Sequence, residues 1–331
     1  MTLDFDKGFG GLPKYNLTLE TPITKLSLTG VKRGDTNVYM KREDLGSYFL
    51  GGNKVRFYEY LIPDILSKKT ERIIAIGSSY SNNIRVVSAI SQFLNIPCKL
   101  FIYLEKGYTD EIEGNLLLAK LCNAEIEFVH KSFVSLAAKE YISQKEKAGE
   151  NCYFIPNGSH IPLAAVSYSD VLKEIIAQSK QLNIEFDVVF LPVGNGTTVA
   201  GLELGKEICG FKGQIIGLAF EGSTNKQRIA TFIKEIKESV LNPELFDDSY
   251  DSNLKIVNTQ MKYGEIIKSD TDFIKRLVRS DGICLDPIYN AHPFSVLMDT
   301  LEQYEAQNIL YINTGGTPLL FLQKFKSILG D

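Results

Sequence analysis

The sequence predicts an α/β protein in which helices cover parallel-rich β-sheets. Two observations support this prediction. Short, continuous apolar runs, typical of strands that are buried on both faces, alternate with longer segments of helical periodicity. Turns rich in glycine, serine or threonine stand between them, often directly after an apolar run. With 331 residues, the chain is long enough for one large α/β unit or for two lobes with separate cores.

The predicted elements follow one another without an internal repeat or a Pro/Ser-rich linker. A helix is predicted over 55–66 and a strand over 72–76. The later elements are, in chain order, a helix over 84–94, a strand over 97–103, a helix over 111–122, a strand over 187–191, a helix over 199–208 and strands over 215–220 and 309–312. The turns 77–83, 193–198 and 314–316 each follow a strand. Because ligands of open parallel sheets lie beyond the carboxyl ends of the strands, we expect a site where these turns meet.

The composition argues against several classes of protein. A charged fraction of 23% and a net charge of −4 without a basic cluster are not those of a nucleic-acid binder. The start MTLDFDKGFGG lacks the pattern of a signal peptide and no apolar run reaches transmembrane length, so no membrane partner is expected. Five scattered cysteines without a CxxC pair indicate reduced thiols and a cytoplasmic location. Three widely separated histidines argue against a metal site.

The turn at 193–198 is a candidate phosphate-binding site. Gly194 and Gly196 allow backbone N–H groups to converge on an anion, and the helix that follows adds a dipole effect of ~0.3–1 kcal/mol. Thr197 and Thr198 add hydroxyl donors. The alternative is a glycine-rich turn that only makes a tight connection. The segment is not a nucleotide P-loop, because no Gly-Lys-Ser/Thr follows, and it lacks the full GxGxxG order.

Lys54 is a candidate for amine chemistry, because it follows two glycines and Asn53 at the start of the predicted helix 55–66. A helix start carries positive potential, which favours the neutral amine that Schiff-base chemistry requires. The alternative is a solvated lysine without a catalytic role. The turn at 77–83 also contains hydroxyl and amide side chains, and for these the alternative is ordinary capping of the next helix.

Eight segments, in order over nearly the whole chain, resemble the fold-type II enzymes that use pyridoxal phosphate (PLP). More closely, they resemble the 1-aminocyclopropane-1-carboxylate deaminase/D-cysteine desulfhydrase family. The segments are Thr21-Pro22-Ile23, Lys41-Arg42-Glu43-Asp44-Leu45, Gly51-Gly52-Asn53-Lys54-Val55-Arg56, Tyr80-Ser81-Asn82-Asn83-Ile84-Arg85, Phe154-Ile155-Pro156-Asn157-Gly158-Ser159, Gly194-Asn195-Gly196-Thr197, Leu285-Asp286-Pro287-Ile288-Tyr289 and Asn313-Thr314-Gly315-Gly316. The resemblance implies a two-lobed fold like that of the tryptophan synthase β subunit. It also implies a small domain at 52–165 inserted into a large PLP-binding domain of residues 1–51 and 166–331, and a homodimer.

The resemblance also implies a role for each site residue. Lys54 would carry the cofactor as a Schiff base and then move the substrate's α-proton. Ser81 and Tyr289 complete the catalytic set, Ser81 as acid/base, nucleophile or carboxylate contact and Tyr289 as acid/base or nucleophile activator. The other cofactor contacts would come from Asn82 at the 3′ oxygen, Thr314 near the pyridine nitrogen, and Val193, Gly194, Asn195, Gly196, Thr197 and Thr198 around the phosphate. Tyr263 would lie at the pocket edge.

Several residues depart from the family pattern. Phe57 stands where a lysine near the phosphate is usual, and Asn313 stands where a histidine is usual. Asn290-Ala291-His292 replaces Thr-Gly-Lys or Glu-Gly-Lys, and the missing glutamate argues against deamination of 1-aminocyclopropane-1-carboxylate. We expect Ser81, Tyr80, Asn83 and His292 to contact the substrate. The alternatives are a packed core aromatic for Tyr80 and a helix-start residue for His292.

The leading hypothesis is a PLP-dependent lyase or deaminase. It would act on a small amino acid with a β-leaving group, such as D-cysteine, and release ammonia and a 2-oxo acid. One alternative keeps the cofactor but catalyses β-replacement or racemisation. Two others involve no turnover: a PLP-binding protein, and a binder of another phosphate ligand in which Lys54 is incidental.

Overall fold

The computed structural model describes residues 3–28, 35–105, 111–247 and 252–329. The other residues of the two predicted domains, among them both chain ends, lie outside the described residues. The strands are β1 (Asp6–Lys7), β2 (Pro13–Lys14), β3 (Ile23–Lys25), β4 (Asn37–Arg42), β5 (Arg72–Ser78), β6 (Cys98–Tyr103), β7 (Glu125–Phe128), β8 (Cys152–Ile155), β9 (Val188–Val193), β10 (Gln214–Ala219), β11 (Lys255–Asn258) and β12 (Asn308–Asn313). The helices are α1 (Asn53–Ser67), α2 (Asn82–Leu94), α3 (Gly114–Leu121), α4 (Val134–Lys147), α5 (Pro162–Leu182), α6 (Thr197–Cys209), α7 (Lys226–Ser239), α8 (Lys268–Asp281), α9 (Ala291–Asp299) and α10 (Gln323–Leu329).

The larger sheet contains six strands in the order β11-β10-β9-β12-β4-β3. Its neighbouring strands run parallel, except for the antiparallel edge pair of β3 and β4. Every residue of β9 is buried, and its alternate side chains belong to different apolar clusters, Val189 to one and Phe190 to another. Burial on both faces explains why this strand reads as a continuous apolar run.

The smaller sheet contains four parallel strands in the order β7-β6-β5-β8. Its strands lie between residues 72 and 155, whereas the described strands of the larger sheet come from residues 23–42 and 188–313. This separation supports 52–165 as the small inserted domain, and we keep those bounds as a proposal.

One apolar cluster joins the two sheets. It includes Leu61 of α1, Ile73 of β5 and Leu172 of α5, all fully buried. Helices α5 and α6 approach so closely that a Cβ at Gly201 would lie 1.9 Å from the carbonyl oxygen of Ala165. Glycine at this position therefore permits the helix contact behind the α6 N-terminus.

The predicted α/β class with parallel-rich sheets is confirmed. The predicted strands and helices are present, with bounds that differ by at most three residues. Helix α2 begins at Asn82 rather than at residue 84 because Ser81 caps it, its Oγ accepting the N–H of Asn83 at 3.2 Å. Helix α3 covers Gly114–Leu121 and is shorter than the predicted 111–122.

Three further observations concern the described residues as a whole. None of their helices has both the length and the apolar character needed to cross a membrane. No group of three or more His, Cys, Asp or Glu side chains among them is arranged to hold a metal ion. All five cysteines are free thiols.

Candidate active site

The carboxyl ends of strands from both sheets meet at a cavity of about 410 Å³. Ser78 ends β5 and Tyr103 ends β6, while Val193 ends β9 in the larger sheet. Phe220 and Thr314 follow β10 and β12, and all five residues line the cavity. The structure therefore brings the three predicted turns together at one site, as the position of ligands in open parallel sheets requires.

Lys54 lies in the cavity wall, in the first turn of α1. Its amine donates to the carbonyl oxygen of Gly158 at 3.1 Å and lies 4.5 Å from the centre of the Phe57 ring. Burial lowers the pKa of Lys54 to about 7. A large fraction of this amine is therefore neutral at neutral pH, and a neutral amine is a nucleophile.

The turn at 193–198 forms one end of the cavity. Gly196 has a φ of 92° and precedes α6, so the first N–H groups of α6 face this end. A Cβ at Gly194 would meet no protein atom within 4 Å, which shows that the backbone here borders open space. The Thr198 hydroxyl accepts a hydrogen bond from the Asn53 side chain at 3.0 Å and so connects this turn to the start of α1. The arrangement fits an anion such as a phosphate group.

His160 is a site neighbour that the sequence analysis did not single out. Its Nδ1 lies 3.1 Å from the Thr197 hydroxyl, and its ring stacks on Phe232 with centroids 3.9 Å apart. Burial, and next the charge of Lys54, lower the pKa of His160. The neutral imidazole therefore supports the turn before α6 through its contact with the Thr197 hydroxyl.

Ser81 and Asn82 both line the cavity. Ser81 also caps α2, so the same side chain both caps the helix and lines the cavity. The side-chain oxygen of Asn82, Oδ1, accepts a hydrogen bond from the side-chain amide of Asn115 at 2.9 Å, which orients the Asn82 amide. The N–H groups that begin α2 provide a second place for a carboxylate.

Three hydroxyl groups form a hydrogen-bonded chain in the lining of the cavity. The Tyr289 hydroxyl is hydrogen-bonded to that of Tyr263, and the Tyr263 hydroxyl lies 3.0 Å from Ser78 Oγ. Burial raises the pKa of both tyrosines, so they keep their protons at neutral pH. The sequence placed Tyr263 at the pocket edge by resemblance alone, and the structure shows it as the link between Ser78 and Tyr289.

Thr314 lines the cavity and is held by hydrogen bonds to Asn290, which is fully buried. The Asn290 amide donates to Thr314 Oγ1 at 3.2 Å, and its oxygen accepts the Thr314 N–H at 3.1 Å. Asp286 accepts the same amide at 2.5 Å, and burial raises the pKa of Asp286 to about 6. The departure at position 290 thus fixes the orientation of the Thr314 hydroxyl.

Tyr80 and Asn83 lie behind the cavity wall rather than in its lining. Tyr80 is fully buried, and its ring packs edge-on against Tyr263. The Asn83 oxygen accepts hydrogen bonds from Ser159 at 2.6 Å and Tyr58 at 3.2 Å. These contacts support the cavity wall from behind, and contact of Tyr80 and Asn83 with the substrate stays a prediction.

His292 also lies outside the cavity lining. Its Nδ1 is 3.0 Å from Asp270 and its Nε2 is 3.2 Å from the carbonyl oxygen of Thr259. Burial lowers the pKa of His292, but these two acceptors outweigh it, and the pKa is raised above its usual value. Since both ring nitrogens face acceptors, the protonated ring fits this position. His292 joins the start of α9 to α8 and to the segment after β11.

The mouth of the cavity carries an ion pair that the sequence analysis missed. Glu105 Oε1 lies 3.2 Å from Lys131 Nζ, and both residues line the cavity. Nearby, the Tyr103 hydroxyl accepts a hydrogen bond from Asn157 at 3.0 Å. Tyr103 ends a predicted strand, so the rule about carboxyl ends would have found it. The Glu105–Lys131 contact joins two separate loops, and no local pattern signals it.

Comparisons with known proteins agree with this geometry. The profile of a family described as "Pyridoxal-phosphate dependent enzyme" matches residues 16–315. A putative 1-aminocyclopropane-1-carboxylate deaminase of Pyrococcus abyssi is 30% identical over 314 residues, which is 91% of each chain. The mitochondrial bifunctional D-cysteine desulfhydrase/1-aminocyclopropane-1-carboxylate deaminase of Arabidopsis thaliana is 28% identical over 97% of this chain and 83% of that protein. The crystal structure of a homologue of 1-aminocyclopropane-1-carboxylate deaminase superposes with a TM-score of 0.84 at 30% identity, covering 96% of this chain and 97% of that one.

Proposed function

Because the chain belongs to the family of pyridoxal-phosphate-dependent enzymes, we propose that it is a lyase or deaminase of small amino acids with a β-leaving group. D-cysteine is the proposed substrate type; water is consumed, and the proposed products are ammonia, a 2-oxo acid and the protonated leaving group, which is hydrogen sulfide for D-cysteine. The relatives named as 1-aminocyclopropane-1-carboxylate deaminase and D-cysteine desulfhydrase support this class of reaction. The observation that carries the proposal is a single cavity that holds the Lys54 amine and the Tyr289–Tyr263 hydroxyl pair.

The cavity residues fit the cofactor. Lys54 offers an amine whose pKa is lowered to about 7, and Asn82 offers an oriented amide. At the other end, the open backbone at Gly194 and the start of α6 suit the phosphate group. When bound, the cofactor withdraws electrons from the substrate's Cα, and the protein decides which bond breaks.

Lys54 has two tasks in the proposed mechanism. Its neutral amine would hold the cofactor, and the same Nζ would take the proton from the substrate's Cα. A pKa of about 7 suits an amine that accepts and returns a proton near neutral pH. Ser81 and the N–H groups at the start of α2 hold the substrate's carboxylate, which orients the Cα–H bond towards Lys54.

Tyr289 protonates the leaving group in this proposal. Its raised pKa makes it a proton donor at neutral pH rather than a base. The Tyr263 hydroxyl, which also lines the cavity, returns a proton to Tyr289, and Ser78 is its second hydrogen-bond partner. Thr314, braced by Asn290, presents a neutral hydroxyl where the deaminases of the resembled family have a glutamate nearby, which favours elimination over cyclopropane ring opening.

We further propose a cytoplasmic homodimer. The free cysteines fit a reducing compartment. Leu117 and Leu121 on α3 are 47% and 70% exposed, and Phe321 is 64% exposed. A Cβ at Gly114, where α3 begins, would lie 3.0 Å from Leu322, so these apolar side chains belong to neighbouring segments and support a buried subunit contact. Light scattering at several protein concentrations measures the mass of the assembly, and a strictly monomeric mass would contradict the dimer.

The function is tested by incubating the PLP-loaded protein with D-cysteine, L-cysteine, D-serine and 1-aminocyclopropane-1-carboxylate. We expect ammonia and a 2-oxo acid in equal amounts from D-cysteine, and none from the same assay with Lys54→Ala. A thiol added as trap separates elimination from replacement, because a thioether product would replace the 2-oxo acid. Absence of ammonia from every substrate, in a protein that holds the cofactor, would favour the binder without turnover.

A further inference from the structure

The segment before Lys54 has an uncommon backbone conformation. Phe49, Leu50, Gly51 and Gly52 have φ angles of 41°, 65°, 59° and 94°. Four consecutive residues in the left-handed region are rare, and two of these residues carry a Cβ, for which the region is unfavourable. Such a segment persists only where the surrounding structure holds it.

The N–H groups of Gly51 and Gly52 donate to the backbone carbonyl oxygens of Tyr48 at 2.9 Å and Glu43 at 2.7 Å, and the contacts to the carbonyl groups of the segment come from Arg85 of α2. One guanidinium nitrogen, Nη1, donates to the carbonyl oxygen of Phe49, and the other, Nη2, donates to that of Gly51 at 2.8 Å. The two donors of one planar group thus fix two carbonyl groups within the left-handed segment. On the other side, the N–H of Asn53 donates to the carbonyl oxygen of Thr314 at 3.0 Å.

Arg85 is itself placed unusually. Its side chain is fully buried, and its Nε has no hydrogen-bond partner. No carboxylate in the part of the chain that the structure describes forms an ion pair with it. Burial lowers the pKa of Arg85 to about 10, which leaves it charged at neutral pH. A buried cation is unfavourable without compensation, and here backbone carbonyl oxygens provide it.

We propose that Arg85 is a positioning residue that holds residues 49–52 in their left-handed conformation and thereby keeps the Lys54 amine in the cavity wall. The proposal rests on the proposed function, in which Lys54 carries the cofactor. Arg85 belongs to the helix whose first turn presents Ser81 and Asn82 to the cavity. It therefore fixes the Lys54 amine relative to the residues proposed to bind the substrate's carboxylate and the cofactor.

The test measures Lys54 in the full-length, cofactor-free protein. Acetylation of Lys54 by acetic anhydride is followed by mass spectrometry as a function of pH, since only the neutral amine reacts. The wild type should show a midpoint near pH 7. Arg85→Met should release the segment, solvate Lys54 and move the midpoint towards the ordinary lysine value of about 10.4, so that labelling at neutral pH falls at least ~10-fold. Arg85→Lys, which keeps the charge and one donor group, should give an intermediate midpoint.

Lys206→Met is the matched control. Lys206 is also a buried cation that donates to a backbone carbonyl, that of Gly213 at 2.6 Å, but it lies at the far end of α6. Its removal should lower the unfolding temperature without moving the Lys54 midpoint. His160 is the titratable neighbour of Lys54, so the wild-type titration is repeated in His160→Gln to assign the midpoint to Lys54.

The outcomes separate the two proposals. If Arg85→Met leaves the midpoint of Lys54 acetylation at the wild-type pH, Arg85 does not position Lys54 and the inference is overturned. Should Arg85→Met not fold, the same result in Arg85→Lys overturns it. A shift in both Arg85 variants, larger in Arg85→Met than in Arg85→Lys, which keeps the charge and one donor group, supports it. Failure of the wild type to attach PLP at Lys54 would contradict the proposed function instead, because the midpoint is measured without cofactor.

Discussion

Replacement of Tyr263 by phenylalanine tests the hydroxyl chain at the cavity wall. The Tyr263 hydroxyl contacts those of Tyr289 and Ser78, the second at 3.0 Å. Its ring packs against the Tyr289 ring with centroids 5.4 Å apart. Tyr263→Phe keeps this ring packing and removes only the hydroxyl, so its effect reports on the hydrogen bonds.

The magnitude follows from the contacts that remain. A neutral hydrogen bond contributes about 0.5–1.5 kcal/mol net, and a buried polar group left unpaired costs about 1–3 kcal/mol. Tyr289 keeps a contact of 3.5 Å with the Tyr80 carbonyl oxygen, and Ser78 lines the cavity, where water can bind it. We therefore expect the free energy of unfolding to fall by about 1–2 kcal/mol. Loss of proton supply to Tyr289 should lower kcat by about 10²-fold with little change in KM.

The assay compares Tyr263→Phe, Tyr289→Phe and the double variant in the release of 2-oxo acid, with urea unfolding for stability. If both tyrosines serve one proton path, the double variant should be no slower than the slower single variant. A wild-type kcat in Tyr263→Phe, or losses that multiply in the double variant, would refute the shared path.

Three further predictions concern the turn at 193–198, the contact between α5 and α6, and the contact of His292 with Asp270. Gly194→Ala should keep the unfolding temperature and weaken PLP binding at least about tenfold, because its methyl group would occupy the open space proposed for phosphate; absorbance titration measures this. Gly201→Ala should lower the free energy of unfolding by about 2 kcal/mol or more, because its Cβ would lie 1.9 Å from the Ala165 carbonyl oxygen. The pKa of His292 is raised from 6.5 in the fold, so its stabilising contact with Asp270 is complete below that value and is lost as the pH rises through the folded pKa. Relative to His292→Gln, the wild type should therefore lose stability as the pH rises from below 6.5 through the folded pKa of His292, which urea unfolding at several pH values measures.

Each of these predictions has an outcome that contradicts it. Unchanged PLP affinity in Gly194→Ala would place the phosphate elsewhere. Wild-type stability in Gly201→Ala would mean that α5 and α6 can separate without cost. A stability difference between wild type and His292→Gln that is the same at every pH would show that folding does not change the pKa of His292.

The sequence predicts the class of fold and the meeting of the turns because both depend on local patterns. Strands such as β9 read as apolar runs since both of their faces are buried. Strand β4 was not predicted, because it contains Lys41, which is fully buried and paired with Glu174 of α5, 133 residues away. Polar residues that are satisfied by distant partners break the pattern that identifies a strand.

The same limit applies to the site. Lys54, Ser81 and Tyr289 stand in motifs and could be proposed from the sequence, and the structure places all three in the lining of one cavity. The hydrogen bond between Asn290 and Thr314 joins residues 24 positions apart. Through this bond, the residue that departs from the family pattern at position 290 fixes the Thr314 hydroxyl. Nothing in the local sequence around position 290 indicates which residue its side chain will contact.

The central claim is that Lys54 carries PLP, and an absorption spectrum tests it most directly. Purified wild type and Lys54→Ala are mixed with PLP, reduced with borohydride, digested and examined by mass spectrometry. We expect a visible band that borohydride abolishes and a cofactor mass fixed on the Lys54 peptide in the wild type alone. No band in the wild type, or an equal band and a labelled peptide elsewhere in Lys54→Ala, would contradict the claim and remove the basis for the catalytic roles assigned to Ser81 and Tyr289.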